Sequence, residues 1–388
     1  MKILHVDTEM TWYGGQRQAF YLASGLAQQG HTSVVASPPK SPLAQECKKS
    51  NVEVVEIPLR GELDLLSAVQ LHTLIKKRGF DIVHAHTAHA HTLVGLATLW
   101  NPHVGKVVSR RVDYSIYRSG SILSRWKYLR LGIDRYIAIS QAVSDILEHD
   151  GVHAEKISVV YSGVAFPPHS SEKTNHFDVR SHYQIETSSP ILGTIAQLSD
   201  YKGYQFLADA IPLILKEIPQ ATFLWIGEGI LKERLKNQIR KLGVEKAVIF
   251  TGYQQNLEPF WKAFDFMVVP SHMEGLNSSL LDGLARGKPI VAAAAGGIPE
   301  VIQDGENGVL VPIRSPQALA EGVLRLLKDP ELIQKTAQAG PQTIAKRFTL
   351  NHMVTKTEQI YLEILETKRR ASPNLLGNGP SPHRSADV

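Results

Sequence analysis

Short apolar runs rich in Val and Ile alternate with segments of helical period along most of this chain, and the alternation pauses near the middle and then starts again. Such alternation is the mark of βαβ units in a parallel sheet, whose strands are covered by helices on both faces and so read as continuous apolar runs. The first set of runs is Ile3–Val6, Thr32–Ala36, Val52–Ile57, Ile82–His84, Lys106–Ser109 and Tyr136–Ile139, with helices such as Arg17–Gln29 and Leu65–Arg78 between them. The second set is Ile191–Ile195, Thr222–Ile226, Val248–Phe250, Phe266–Val269 and Pro289–Ala293. Between the sets, Ala165–Ser189 carries Pro, Ser, Thr and His in a composition that reads as a linker with one short helix. The expected fold class is therefore α/β, with two doubly wound, Rossmann-like domains facing a central cleft. A length of 388 residues, too great for one ordinary core, agrees with two domains. They are expected over residues 1–165 and 166–349, followed by a helix near 350–370 and a disordered tail at 371–388 that is rich in Pro, Gly, Ser and Asn.

Several classes of protein are set aside by what the chain lacks. Its purely apolar stretches, such as Pro289–Ala295, fall far short of the roughly 20 residues that span a bilayer. The N-terminus meets Asp7 and Glu9 before a signal-peptide core can develop, and it reads as a buried first strand. The single cysteine, Cys47, excludes an intrachain disulfide and a cysteine-based zinc site, which suits a reducing cytoplasm. Net charge is +5, and the segment Val104–Arg135 alone accounts for it, with eight Lys or Arg against Asp113 and Asp134. A local patch of this kind admits two readings, a solvated face or the footprint of an anionic partner.

In open α/β sheets ligands bind at the carboxyl ends of the strands, so candidate site residues are sought there. The first strand ends at Asp7, and the loop Trp12-Tyr13-Gly14-Gly15-Gln16 opens a helix. Adjacent glycines before a helix can present N–H groups to a phosphate, although a purely structural turn has the same sequence, and the G-x-G-x-x-G spacing of a dinucleotide-binding fold is missing. His84, His86, His89 and His91 follow one another closely after a strand. Bringing all four to one ion would need contrived geometry, so no metal site is expected, and His86 at the strand's end is read as facing the cleft. The fullest constellation runs from Pro270 to Ala285, where a strand ends, Glu274 lies in the turn, and a helix begins that carries Asp282 two turns on. Free amides at that helix start, with Gly275, Leu276, Asn277 and Ser278, suit a diphosphate, and the two carboxylates suit sugar hydroxyls.

Taken together, these motifs resemble glycosyltransferase family 4, retaining enzymes of the GT-B fold that use nucleotide-activated sugars. Glu274 and Asp282 stand at the two acid positions of that family's E-x7-E motif, within its P-S-x-x-E-G context. Gly227-Glu228-Gly229, Thr251-Gly252-Tyr253, Gly296-Gly297-Ile298-Pro299-Glu300 and Asp304-Gly305-Glu306-Asn307-Gly308 match further signatures of the second half. Gly14-Gly15, Gly30-His31, Asp81–His86 and Ile139-Ser140 match the first. The resemblance implies an acceptor-side domain first, a nucleotide-sugar donor domain second, and the helix Met353–Glu366 crossing back to brace the first.

The same resemblance assigns Glu274 to the donor sugar, Asp282 to ribose hydroxyls and His86 to positioning donor sugar or acceptor. Gly14, Gly15, Gln197, Lys202, Gly227, Tyr253, Leu276, Asn277 and Ser278 would complete the donor site, with His86, Lys202 and Glu274 nearest the reaction. Two departures stand out: Asp282 is one methylene shorter than the family's usual Glu, and Gln197 replaces the usual Arg five residues before Lys202. One cation on the diphosphate is thereby lost unless an arginine of the first domain substitutes.

The implied activity is transfer of a hexose-type sugar to a glycan or lipid-linked acceptor, in lipopolysaccharide or other cell-envelope polysaccharide synthesis. The chain has no D-x-D motif, so neither a metal nor any other cofactor is expected, and the nucleotide-sugar is itself a substrate. Arg110 and Arg111 are expected to meet an anionic acceptor. The stretch Ser121–Leu131 reads either as a packed helix or as an interfacial one touching an anionic membrane surface at the inner face, as a peripheral protein. Nucleic acid is not an expected partner, since the patch comes without a recognition fold. Two alternatives remain on the same architecture, a nucleotide-sugar 2-epimerase and a non-catalytic nucleotide-sugar-binding protein.

Overall fold

The computed structural model describes residues 1–116, 127–128, 131–167 and 177–371. Most of the segment Ser121–Leu131, part of the linker, and the expected tail beyond Ala371 lie outside the described residues. Seven parallel strands form the first sheet: β1 (Lys2–Val6), β2 (Thr32–Ser37), β3 (Glu53–Glu56), β4 (Ile82–Ala85), β5 (Gly105–Arg110), β6 (Arg135–Ala138) and β7 (Ile157–Val159). Their order is β3-β2-β1-β4-β5-β6-β7. Six more form the second: β8 (Ile191–Ile195), β9 (Thr222–Ile226), β10 (Val248–Gly252), β11 (Phe266–Val269), β12 (Ile290–Ala293) and β13 (Val309–Val311). These are ordered β10-β9-β8-β11-β12-β13.

Both sheets thus repeat one topology, in which the order reverses between the first and fourth strands of each. A crevice opens at the carboxyl ends of the strands at such a reversal, because the helices on either side leave in opposite directions. The reversal lies between β1 and β4 in one sheet and between β8 and β11 in the other, so the four connections that follow these strands are the ones placed to build a site.

The central strands are apolar on both faces, as the sequence pattern requires, and Ile3, Leu4, Val83, Val107, Leu192, Phe223 and Val268 are all fully buried. The last helix, Leu350–Ala371, falls where a helix near 350–370 is expected, and its Met353, Val354, Ile360, Tyr361 and Ile364 pack against Ile3, Leu22, Ile82 and Val107 of the first sheet's layer. Gly105 has no room for a side chain there, since a Cβ would stand 2.9 Å from Ile364 and 2.4 Å from Ile82. Among the described residues no helix is long and apolar enough to cross a membrane.

The two halves also meet directly. Glu300, in the Gly296–Glu300 signature of the second half, accepts hydrogen bonds from the backbone N–H groups of Gln141 (2.8 Å) and Ala142 (2.9 Å) and from the hydroxyl of Tyr161 (2.9 Å). It therefore satisfies the open amides at the start of helix Gln141–His149, work that a helix's own N-cap would otherwise leave to water.

Candidate active site

A cleft of about 910 Å³ lies where the strand ends of the two sheets face each other, lined from both sides. Of the residues assigned above to the donor site, the reaction or an anionic acceptor, all but Asp282 line it. The helix Gly14–Gln28 contributes its N-terminus from one side and the helix Ser278–Ala285 from the other. Their approach is close enough that a Cβ on Gly14 would sit 2.5 Å from Ser278 Oγ, so a side chain at position 14 would displace that hydroxyl. Helix starts carry free N–H groups and a positive dipole end, and two aimed at one space make it receptive to negative charge. On the second helix Asn277 is the N-cap and accepts from the Leu280 amide at 2.8 Å.

Glu274 is the most tightly held group in the cleft. Its Oε2 accepts from Lys202 Nζ at 2.6 Å, Ser271 Oγ at 3.1 Å and Asn277 Nδ2 at 3.1 Å. Its backbone N–H donates to Asp113 Oδ2 at 2.5 Å, and its carbonyl accepts from the Gly297 N–H at 3.1 Å. Three charged or polar donors on one oxygen leave Oε1 as the acceptor that Glu274 can offer to a bound molecule. Lys202 reaches it because Gly203 turns the chain with φ of +72° directly against Pro270, where a Cβ would come within 1.9 Å of the Pro270 carbonyl oxygen. Only glycine fits that turn. Gln197 stands at the mouth of the same loop and accepts a hydrogen bond from the Tyr201 hydroxyl at 3.0 Å.

Asp282 does not stand free as a sugar-binding carboxylate. Its Oδ2 accepts from Arg17 of the opposite half at 2.5 Å, and Oδ1 lies 4.0 Å from Arg286. Asp282 does not line the cleft, whereas Arg17 does. Oδ2 is thereby taken by Arg17, which leaves Oδ1 as the acceptor that Asp282 could offer to a ribose.

His86 is stacked among other imidazoles. Its Nε2 is 3.0 Å from His5 Nδ1, and its Nδ1 is 3.5 Å from the Arg111 guanidinium. A guanidinium only donates, so Nδ1 accepts, the proton of the neutral ring is on Nε2, and Nε2–H donates to His5. Burial, with the Arg111 charge adding to it, holds His86 and His84 well below the ordinary histidine pKa, and burial lowers His5 to about 3. His84 turns away from the cleft, with Nδ1 2.6 Å from the Tyr361 hydroxyl and Nε2 2.9 Å from Ser109 Oγ.

His89 is exposed, whereas His91 is buried edge-on against Tyr128. Ligand nitrogens of His5, His84 and His86 lie within 4.8 Å of one another, a spacing that suits a metal. Five of their six ring nitrogens are engaged with Tyr361, Ser109, Arg111 and each other, while His5 Nε2 is buried without a partner, so the trio reads as a hydrogen-bonded stack more than an open ligand set.

Arg110 departs from expectation. Its terminal nitrogens donate to the Tyr128 hydroxyl (3.0 Å) and the Tyr114 carbonyl (2.6 Å), and its guanidinium lies over both rings. Those donors are taken within the protein rather than held out to an anion. Arg111 does face the cleft, with its side chain against Gly15.

Three contributors were not marked by the sequence pattern: Arg17, His5 and Asp113. Arg17 follows the glycine pair by two positions, a spacing visible only once its partner 265 residues away is known. His5 sits beside His84 in the parallel register of β1 and β4, which the sequence does not state.

Comparison with known proteins settles the family. Residues 12–165 match the family described as Glycosyltransferase Family 4, and residues 189–329 match Glycosyl transferases group 1. The chain belongs to glycosyltransferase family 4. Its fold is GT-B, two Rossmann-like domains around a cleft, and it is a glycosyltransferase. It is similar to the N-acetyl-alpha-D-glucosaminyl L-malate synthase of Bacillus anthracis, 27% identical over 308 residues that cover 78% of this chain and 80% of that one. A glycogen synthase of Mycobacterium tuberculosis is also 27% identical, over 97% of this chain and 98% of its own. Among solved structures, Anabaena HepE in complex with UDP superposes with a TM-score of 0.80 at 21% identity, over 94% of this chain and 100% of that one.

Proposed function

We propose that this glycosyltransferase takes its sugar from a nucleoside-diphosphate sugar and transfers it, with retention of anomeric configuration and without a metal, to a cell-envelope glycan or its lipid-linked precursor. The observation that carries the donor reading is the convergence of two helix N-termini, one from each half, on a space flanked by Lys202 and Glu274. A diphosphate is the ligand whose charge and length match that arrangement. The UDP complex of the structurally similar HepE supports the same reading.

In the proposed reaction the bond between the sugar's anomeric carbon and the diphosphate breaks as a new bond to the acceptor oxygen forms on the same face. The acceptor's proton passes to the departing phosphate oxygen. Lys202 and the amides of Gly15, Leu276, Asn277 and Ser278 stabilise the charge that grows on the leaving diphosphate, which is where preorganised donors lower the barrier most. Glu274 holds the sugar through its remaining oxygen, and His86 offers the lone pair of Nδ1 to a hydroxyl of sugar or acceptor. Gly227 and Tyr253 border the space for the base and ribose.

The acceptor reading rests on the surface of the first half. Leu63, Leu65, Leu66, Val69 and Trp100 are exposed by 62 to 78%, and His72 of the same helix packs against Trp100. Such an exposed apolar face, in a chain whose net positive charge falls in Val104–Arg135, suits a protein that works at an anionic membrane surface on a lipid-linked acceptor, at the inner face and from the cytoplasm.

The experiment is to incubate the protein with UDP-, GDP- and ADP-hexoses, with and without EDTA, and to follow nucleoside diphosphate release in the presence of membrane glycan extracts. Release that depends on acceptor and persists in EDTA, with an α-linked product from an α-linked donor, is the expected result. Free release of an isomerised sugar would instead make the chain an epimerase, and donor binding without turnover would make it a sensor.

A further inference from the structure

The cleft is lined by four cations, and three have their charge or their donors taken up by the protein. Lys202 is paired with Glu274, Arg17 with Asp282, and Arg110 gives its terminal nitrogens to Tyr128 and Tyr114. Arg111 is different. Among the described residues its one hydrogen-bond contact is the long 3.5 Å approach to His86 Nδ1; its Nε is buried without a partner, as are those of Arg17 and Arg110, but unlike theirs its terminal nitrogens meet neither a carboxylate nor a carbonyl. Burial lowers its pKa to about 10, with only the more distant charge of Asp7 opposing. A guanidinium partly withdrawn from water with only a distant counter-charge is costly, and the cost is recovered when an anion arrives.

Its position says which anion. The Arg111 side chain lies 3.6 Å from where a Cβ of Gly15 would be, so it flanks the open amides at the start of helix Gly14–Gln28. The Arg111 backbone carbonyl presses on Gly275, beside Glu274. Position 197, which the opposite half could have used for a cation beside Lys202, holds an uncharged Gln bonded to Tyr201.

We propose that Arg111 is the second cation of the diphosphate site, supplied across the cleft by the first domain, so that the site is complete only when the two domains are closed on the donor. The proposal rests on the nucleoside-diphosphate-sugar reading above and adds to it the residue and the domain that bear the charge. It also moves Arg111 from the acceptor, where the sequence placed it, to the donor.

The test is calorimetric titration with whichever of UDP, GDP or ADP binds the intact chain, applied to wild type, R111Q, R111K, Q197R and R111Q/Q197R. One charge-assisted contact is worth about 1.5–3 kcal/mol, so R111Q is expected to bind about ten- to a hundredfold more weakly. R111K keeps the charge but not the fork, so it falls between. The added arginine in R111Q/Q197R restores most of the loss from the other side of the cleft. Without nucleotide R111Q melts no lower than wild type, because it removes a buried charge that has no partner.

R111Q binding within about twofold of wild type overturns the proposal while leaving the donor reading intact. So does a loss that Q197R fails to restore, or an R111Q that is destabilised or does not fold, either of which makes the guanidinium structural. A wild type that binds none of the three nucleotides overturns the donor reading itself, and this proposal with it.

Discussion

Replacing Lys202 tests the site's electrostatics most sharply, because its partner cannot escape to water. Lys202 Nζ and Glu274 Oε2 are 2.6 Å apart, and their side chains are 16% and 10% exposed. Lys202→Ala leaves Glu274 ionised in that environment with only Ser271 and Asn277 to support it. Removing one partner of a fully buried pair costs about 3–5 kcal/mol, while exposed pairs are worth about 0–1 kcal/mol. This pair keeps some solvent access, so K202A should cost about 2–3 kcal/mol.

For a cooperative unit of this size that is roughly 4–12 °C in melting temperature. Glu274→Gln retains an acceptor for Ser271 but loses the ion pair, and it should cost less. The double variant K202A/E274Q removes the stranded charge, so its cost should fall short of the sum by at least about 1 kcal/mol. Chemical denaturation of the four proteins at neutral pH gives the coupling. Additive effects within about 0.3 kcal/mol would refute the reasoning, since they would mean that Glu274 does not feel Lys202. Transfer by K202A should fall at least about a hundredfold, the usual loss on removing one donor to developing charge.

Three further outcomes follow from the geometry. Gly203→Ala places a methyl group against the Pro270 carbonyl at a φ of +72°, so it should destabilise the second domain by more than about 2 kcal/mol and lower donor affinity with it, read by denaturation and titration. Burial raises Asp7 to about 6 and lowers His5 to about 3, and the two act in opposite windows. The Asp7 contribution is present below pH 4 and lost as pH rises through 6, so Asp7→Asn should gain stability relative to wild type over that range. The His5 contribution is present above pH 6.5 and lost as pH falls towards 3, so a His5→Asn variant should be less acid-sensitive; parallel melting curves from pH 4 to 8 check both. Co-sedimentation with vesicles containing anionic lipid at low salt should retain the protein and lose it as salt rises, and no binding at low salt would remove the membrane reading.

The strands and the cleft were legible from sequence because buried parallel strands announce themselves as apolar runs and because ligand loops must follow them. What escaped has a physical cause in each case. Strands β7 (Ile157–Val159) and β13 (Val309–Val311) are three residues long and lie at sheet edges, too short to stand out as runs. The first helix begins at Gly14 rather than Arg17, since two glycines hide a helix start that the Gln16 side chain and the Tyr13 amide close from within.

The strand-end residues Gly14, His86 and Glu274 could be placed at one cleft because topology brings those ends together, whereas Lys202 was marked only by the family resemblance. The engagement of Asp282 by Arg17 and of Arg110 by Tyr114 and Tyr128 could not, for these depend on side-chain directions and on contacts between distant segments.

The central claim is that the cleft between the two sheets receives a nucleoside diphosphate through Lys202 and the paired helix starts. Thermal stabilisation by UDP, GDP and ADP in EDTA, on wild type and K202A, tests it most directly. A ligand at about 100 times its dissociation constant adds roughly 2.7 kcal/mol to the folded state. The account predicts a shift of several degrees with one base, undiminished by EDTA and largely lost in K202A; no shift with any of the three, or an equal shift in K202A, would contradict it.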